Sequence, residues 1–124
     1  MLLRDVQKIL DAEVLVGADK LDFEVHAAFA ADLMSDVLAF ADSGCILLTG
    51  LTNPQVIRTA DVLDIAAIVL VRGKRPPPET VRAAKDKNIP LLATKYILFE
   101  TAGRLYAQGI VGSVPKVEGS RVHL

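Results

Sequence analysis

Three short polar segments, each directly after an apolar run, hold the residues of this chain best suited to ligand chemistry. The first is Thr49-Gly50-Leu51-Thr52-Asn53, the second Arg72-Gly73-Lys74-Arg75 and the third Thr94-Lys95. Together they offer hydroxyls, a carboxamide and cations, and none of the three contains a carboxylate. That set suits a phosphate, a nucleotide or an acidic partner. Lysine and arginine supply charge, while Thr52 and Asn53 stand at a helix start, where free N–H groups and the helix dipole favour anions. The candidate ligand-binding residues are therefore Thr49, Gly50, Thr52, Asn53, Arg72, Lys74, Thr94 and Lys95. The same residues have a purely structural reading. Asn53-Pro54 is an ordinary cap and first helical residue, and Arg72 to Pro78 is equally a solvated loop held extended by its prolines. Residue types alone leave both readings open.

Other chemistry is poorly provided for. A P-loop needs G-x-x-x-x-G-K-[ST], but Gly50 is followed by Leu-Thr-Asn-Pro, without a second glycine or a lysine, and no G-x-G-x-x-G surrounds it. The histidines are His26, in an apolar extended segment, and His123, near the C-terminus. His26 reads as a packed or hydrogen-bonded residue rather than a base. Cys45 opens a buried strand and reads as an inert core thiol. Asp32, Asp36 and Asp42 do not share one helix face and have no histidine nearby, so they read as a solvated acidic face with capping duty. No base and nucleophile pair up. The expectation is a non-enzyme with no metal site and no cofactor.

The elements that must position the three segments recur evenly. Thr49 to Arg72 is 23 positions and Arg72 to Thr94 is 22, the length of a tight strand-helix unit. "CILLTG", "AAIVLV" and "PLLAT" read as buried strands. "NPQVIRTADVLD", "ETVRAAKDKN" and "YILFETAGRLYAQG" read as the helices between and after them, the last with Leu98, Ala102, Leu105 and Tyr106 inward. Upstream, "LLRDVQKILDA" is an amphipathic helix and "AEVLVG" a short strand. "FEVHAAFAA" is a second extended segment, and a helix over about 34–41 follows, capped by Asp32 or Ser35. Consecutive units of this kind build a parallel sheet. The expected fold is therefore α/β, a layered sandwich with a central, mainly parallel sheet built from repeated strand-helix units. It spans 1–110, and 111–124 form an extended or disordered tail. Strand ends of an open parallel sheet are where ligands bind.

Composition bounds the rest. The 124 residues, 52% hydrophobic and 5% aromatic, suit one domain with an aliphatic core. A net charge of −1 gives no field for nucleic acid. A single cysteine excludes an internal disulfide. Apolar runs are far short of a membrane span, and no signal segment opens the chain, so a cytoplasmic protein is expected. The apolar surplus in "AAFAADLMSDVLAFA", and Gly103 in mid-helix, are explained either by core packing or by a homodimer interface.

"LLTGLTNPQVIRTA" and "RGKRPPPETV" carry a family resemblance. The chain resembles the DRTGG domain over about residues 1–110. "VRGKRPPPETVRAAKDKNIPLLAT" is also similar to the amino-terminal, non-catalytic domain of HPr kinase/phosphorylase. The resemblance implies an α/β domain associated with regulation and dimerisation. Such domains lie between regulatory CBS domains of some pyrophosphatases, ahead of phosphotransacetylase domains, or stand alone. It implies no kinase activity, because the phosphate loop of that enzyme lies in its other domain. The string DRTGG itself is absent, so no role attached to it transfers. The expected function is a non-catalytic regulatory module that homodimerises and binds a small anionic ligand such as a nucleotide. The alternative is an adaptor that acts on a partner enzyme or kinase without a small ligand.

Overall fold

The computed structural model describes residues 1–117. The chain opens with helix α1 (Leu3–Ile9) and strand β1 (Glu13–Val16), then β2 (Ala27–Ala30) and α2 (Met34–Phe40). Three strand-helix units follow in sequence: β3 (Ile46–Thr49) with α3 (Pro54–Leu63), β4 (Ala67–Leu70) with α4 (Pro78–Lys87), and β5 (Leu91–Ala93) with α5 (Leu98–Ala107). A two-residue strand, β6 (Val111–Gly112), ends the series. The sheet order is β1-β5-β4-β3-β2-β6. β2 to β5 and β6 run parallel, and β1 lies antiparallel on the β5 edge.

The all-apolar strands are explained by burial on both faces. Along β3 and β4 successive side chains alternate between two cores. Leu47, Ile68 and Leu70 face α2, α3 and α4, where they meet Val37, Val56, Ile57, Ala60 and Ala84. Ile46, Leu48, Ala67 and Val69 face α1 and α5, where they meet Leu3, Val6, Leu10 and Leu105. The layered sandwich expected from the repeated strand-helix units therefore has three layers.

Local chemistry sets the helix limits. Asn53 caps α3 by accepting from the Gln55 N–H at 3.0 Å, with Pro54 at the first helical position. Pro77 and Pro78 begin α4, and α3 and α4 both end on a left-handed polar residue, Asp64 (φ 58) and Asn88 (φ 58). Three details depart from the sequence reading. The N-cap of α2 is Leu33 with no side-chain cap, because Asp32 turns away from that helix. Tyr106 is 70% exposed rather than inward. Near Gly103 an added Cβ would meet nothing within 4 Å, so no packing within the described chain explains that glycine. Val111 and Gly112 pair with Ala27 and Ala28, extending the sheet past residue 110.

Candidate functional site

Adjacent strands β4 and β5 send their connections to opposite faces. β4 continues into α4, on the face with α2 and α3, and β5 continues into α5, on the face with α1. Where neighbouring loops diverge in this way, a crevice opens at the carboxyl ends of the strands. β3 and β4, by contrast, both lead to the same face. A cleft of about 650 Å³ lies at the β4/β5 position. Gly73, Lys74 and Arg75 line it from one loop and Thr94, Lys95 and Tyr96 from the other. Leu10, Asp11 and Glu13 form the far wall, because antiparallel β1 begins where β5 ends.

Backbone bonds lace the two loops together. Arg72 and Gly73 both adopt left-handed conformations (φ 66 each). The Arg72 N–H donates to the Tyr96 carbonyl at 2.8 Å and the Gly73 N–H to the Thr94 carbonyl at 3.0 Å. Thr94 is 2% exposed. Its hydroxyl donates to the Leu10 carbonyl at 2.7 Å and accepts from the Tyr96 N–H at 3.3 Å. Thr94 is thus a floor that ties the loop to the end of α1, with its hydrogen-bonding capacity largely used. Tyr96 is held by Arg104, whose guanidinium lies 4.1 Å from the ring centroid and also bonds Glu100 at 3.1 Å.

The charged groups of the cleft are unequally employed. Arg75 pairs with Glu13 across it. Lys74 and Lys95 are exposed, and among the described residues neither ammonium group has an ion-pair or hydrogen-bond partner. The same holds for the Asp11 carboxylate. Two free cations and one free carboxylate therefore face one concavity.

The first polar segment stands apart from that cleft. Asp32, at the end of β2, takes the Gly50 N–H at 2.7 Å and the Thr49 hydroxyl at 3.2 Å. A carboxylate of the chain itself thus occupies donors that an external anion would use. The Thr49 hydroxyl also accepts from the Leu51 N–H at 3.2 Å. The Thr52 carbonyl accepts from the Thr80 hydroxyl at 2.7 Å, and Asn53 is committed to its cap. Arg72 links this segment to the cleft: a Cβ on Gly50 would lie 2.6 Å from Arg72 Nη2, so the guanidinium rests on the glycine. Of the eight candidates, Lys74, Thr94 and Lys95 meet at the cleft, Arg72 flanks it, and Thr49, Gly50, Thr52 and Asn53 build the neighbouring turn.

Sequence reasoning missed Asp11, Glu13 and Tyr96. Asp11 and Glu13 reach the site through the antiparallel edge strand, which leaves no local signal. Tyr96 directly follows Lys95 and is visible once that loop is extended by one residue. Asp32 joins the Gly50 turn instead of a solvated helix face. His26 is exposed and, among the described residues, has no side-chain partner, so it is not packed; His123 lies outside the described residues. Cys45 is buried, and burial pushes its thiol above the ordinary value of 9.0, which fits a core residue.

Comparison with known proteins agrees with this architecture. The family model of the DRTGG domain matches residues 5–107. Among solved structures, the CBS and DRTGG domains of the regulatory region of Clostridium perfringens pyrophosphatase, complexed with the activator diadenosine tetraphosphate, are similar. The TM-score is 0.67 at 20% identity, over 90% of this chain and 46% of that one. The likeness is one of fold, and this chain spans about half the length of that region. No curated protein matches the sequence. With its three-layer sandwich, and with most of its length matched, the chain belongs to the DRTGG domain family.

Proposed function

We propose that this protein is a non-catalytic regulatory module that binds a small anionic ligand such as a nucleotide and forms a homodimer. The observation that carries the reading is the cleft between the β4 and β5 loops, with unpaired Lys74 and Lys95 over the Thr94 floor. Its volume falls within the range of small-molecule sites. Two ammonium groups without partners retain their full attraction for an anion, whereas paired cations would have to give up a partner first. Arg72, above Gly50, adds a third positive charge at the edge. The similar regulatory region, complexed with a nucleotide activator, makes nucleotides the first ligands to try. Among the described residues that line the cleft there is no histidine, serine or cysteine. A cytoplasmic setting and action on a partner enzyme belong to the same reading.

Homodimerisation draws support from apolar surface left open by one copy. Leu33 is 60% and Leu38 50% exposed, both at α2, and Gly103 presents bare backbone on α5. A second reading, an adaptor without a small ligand, is favoured by the exposed Arg72–Arg75 loop beside its prolines.

The deciding experiment is titration of adenine nucleotides and inorganic polyphosphate against the purified protein, followed by amide chemical shifts. Saturable shifts at Gly73, Lys95 and Tyr96, abolished by Lys74→Glu with Lys95→Glu, are expected. An absence of response at millimolar concentrations refutes the ligand and leaves the adaptor. Light scattering that reports a monomer at high protein concentration refutes the dimer.

A further inference from the structure

The cleft is bipolar, and a bare phosphate would use only half of it. Lys74 and Lys95 come from the two diverging loops, while Asp11 stands on the wall formed where α1 runs into β1. Glu13 on that wall is neutralised by Arg75, so the Asp11 carboxylate is its uncompensated charge. Half-buried Ala93 and Tyr96 give the cleft its accessible apolar lining, over the fully buried Leu10. The 650 Å³ of space is many times what an inorganic phosphate fills. A phosphate alone would gain from the lysines and be opposed by the carboxylate. A ligand with an anionic end, a flat apolar body and hydrogen-bond donors at its other end would gain at all three places.

Resting on the anion-binding reading above, we propose that the ligand class is a nucleoside phosphate and that Asp11 is the residue that specifies its nucleoside half. The phosphates lie on Lys74 and Lys95, and the base or sugar lies along the apolar strip. The Asp11 carboxylate accepts hydrogen bonds from the ribose hydroxyls or from an exocyclic amine of the base. Both sources offer the same chemistry to the carboxylate, a neutral donor that a bare phosphate lacks. Asp11 is therefore a selector: it attracts a nucleoside and repels an inorganic anion. It holds a left-handed backbone conformation (φ 47), which asparagine also tolerates, so the charge can be removed with the geometry kept.

The test compares ATP with inorganic tripolyphosphate, magnesium-free, by calorimetry on the native chain and on Asp11→Asn. The native chain is expected to bind ATP about tenfold more tightly than tripolyphosphate. Asp11→Asn is expected to erase that preference by weakening ATP while leaving tripolyphosphate equal or tighter. On the unmutated protein, inosine triphosphate and 2′,3′-dideoxy-ATP locate the donor. Loss with the first assigns the amine, and loss with the second assigns the ribose. Equal affinity for ATP and tripolyphosphate, with no change of their ratio in Asp11→Asn, overturns this inference and leaves the anion-binding reading intact. Failure of every phosphate compound to bind overturns both.

Discussion

Removing the Asp32 carboxylate tests how the β3 end is built. Asp32→Ala deletes the acceptor of two hydrogen bonds, from the Gly50 N–H at 2.7 Å and the Thr49 hydroxyl at 3.2 Å. Gly50 is buried and Thr49 is 0% exposed, so neither donor can readily turn to solvent. A hydrogen bond to a charged group contributes about 1.5–3 kcal/mol. Asp32 itself is exposed, which lets water replace part of the loss. The expected destabilisation is therefore about 2 kcal/mol, near the middle of that range. With an unfolding entropy of about 2.1 cal/mol/K per residue over a chain of this length, Tm should fall by about 8 °C. Asp32→Asn keeps an amide oxygen as acceptor and loses only the charge, so about half of that effect is expected. The assay is urea unfolding followed by circular dichroism, with an unchanged m-value as the sign that only stability moved. Accelerated hydrogen exchange at the Gly50 amide should accompany it. A change of less than about 0.5 kcal/mol in Asp32→Ala would refute the reasoning, since that is the scale of an ordinary surface substitution.

Four further outcomes follow from the structure. Gly17→Ala sets a Cβ 2.8 Å from the Pro90 Cα at a position of φ +92, so a loss of about 2 kcal/mol is expected in chemical unfolding; a neutral result would contradict the close approach. Thr94→Val removes the bond to the Leu10 carbonyl and the acceptor for the Tyr96 N–H, at a cost of about 2 kcal/mol, and should shift the Leu10 and Asp11 amide resonances. The raised Cys45 thiol makes the native chain unreactive toward a disulfide reagent at pH 8 and fully reactive in denaturant. By linkage, the stability carried by that protonated thiol is complete below pH 9.0 and is lost as pH climbs from there toward the higher folded value. A stability profile flat from pH 8 to 11 would contradict it.

The sequence by itself determined the repeated unit. Aliphatic strands such as "ILLT" and "AIVL" must be buried on both faces, Asn53-Pro54 and the prolines before α4 start helices by local chemistry, and the even spacing of strand ends implies parallel neighbours. These are short-range consequences of side-chain type and backbone freedom. They also place Lys74, Thr94 and Lys95 at strand ends, a local feature, and these three line the cleft. What only the tertiary structure decided was which strand ends share a crevice. That depends on the faces to which α4 and α5 pack, a choice made by the whole apolar pattern rather than by either loop. The closure of antiparallel β1 on β5 likewise carries Asp11 and Glu13 to the cleft from the far end of the chain. The Gly50 turn gave the clearest lesson of the same kind. Its residue types suit an anion, yet Asp32, just past β2, takes the Gly50 N–H and the Thr49 hydroxyl.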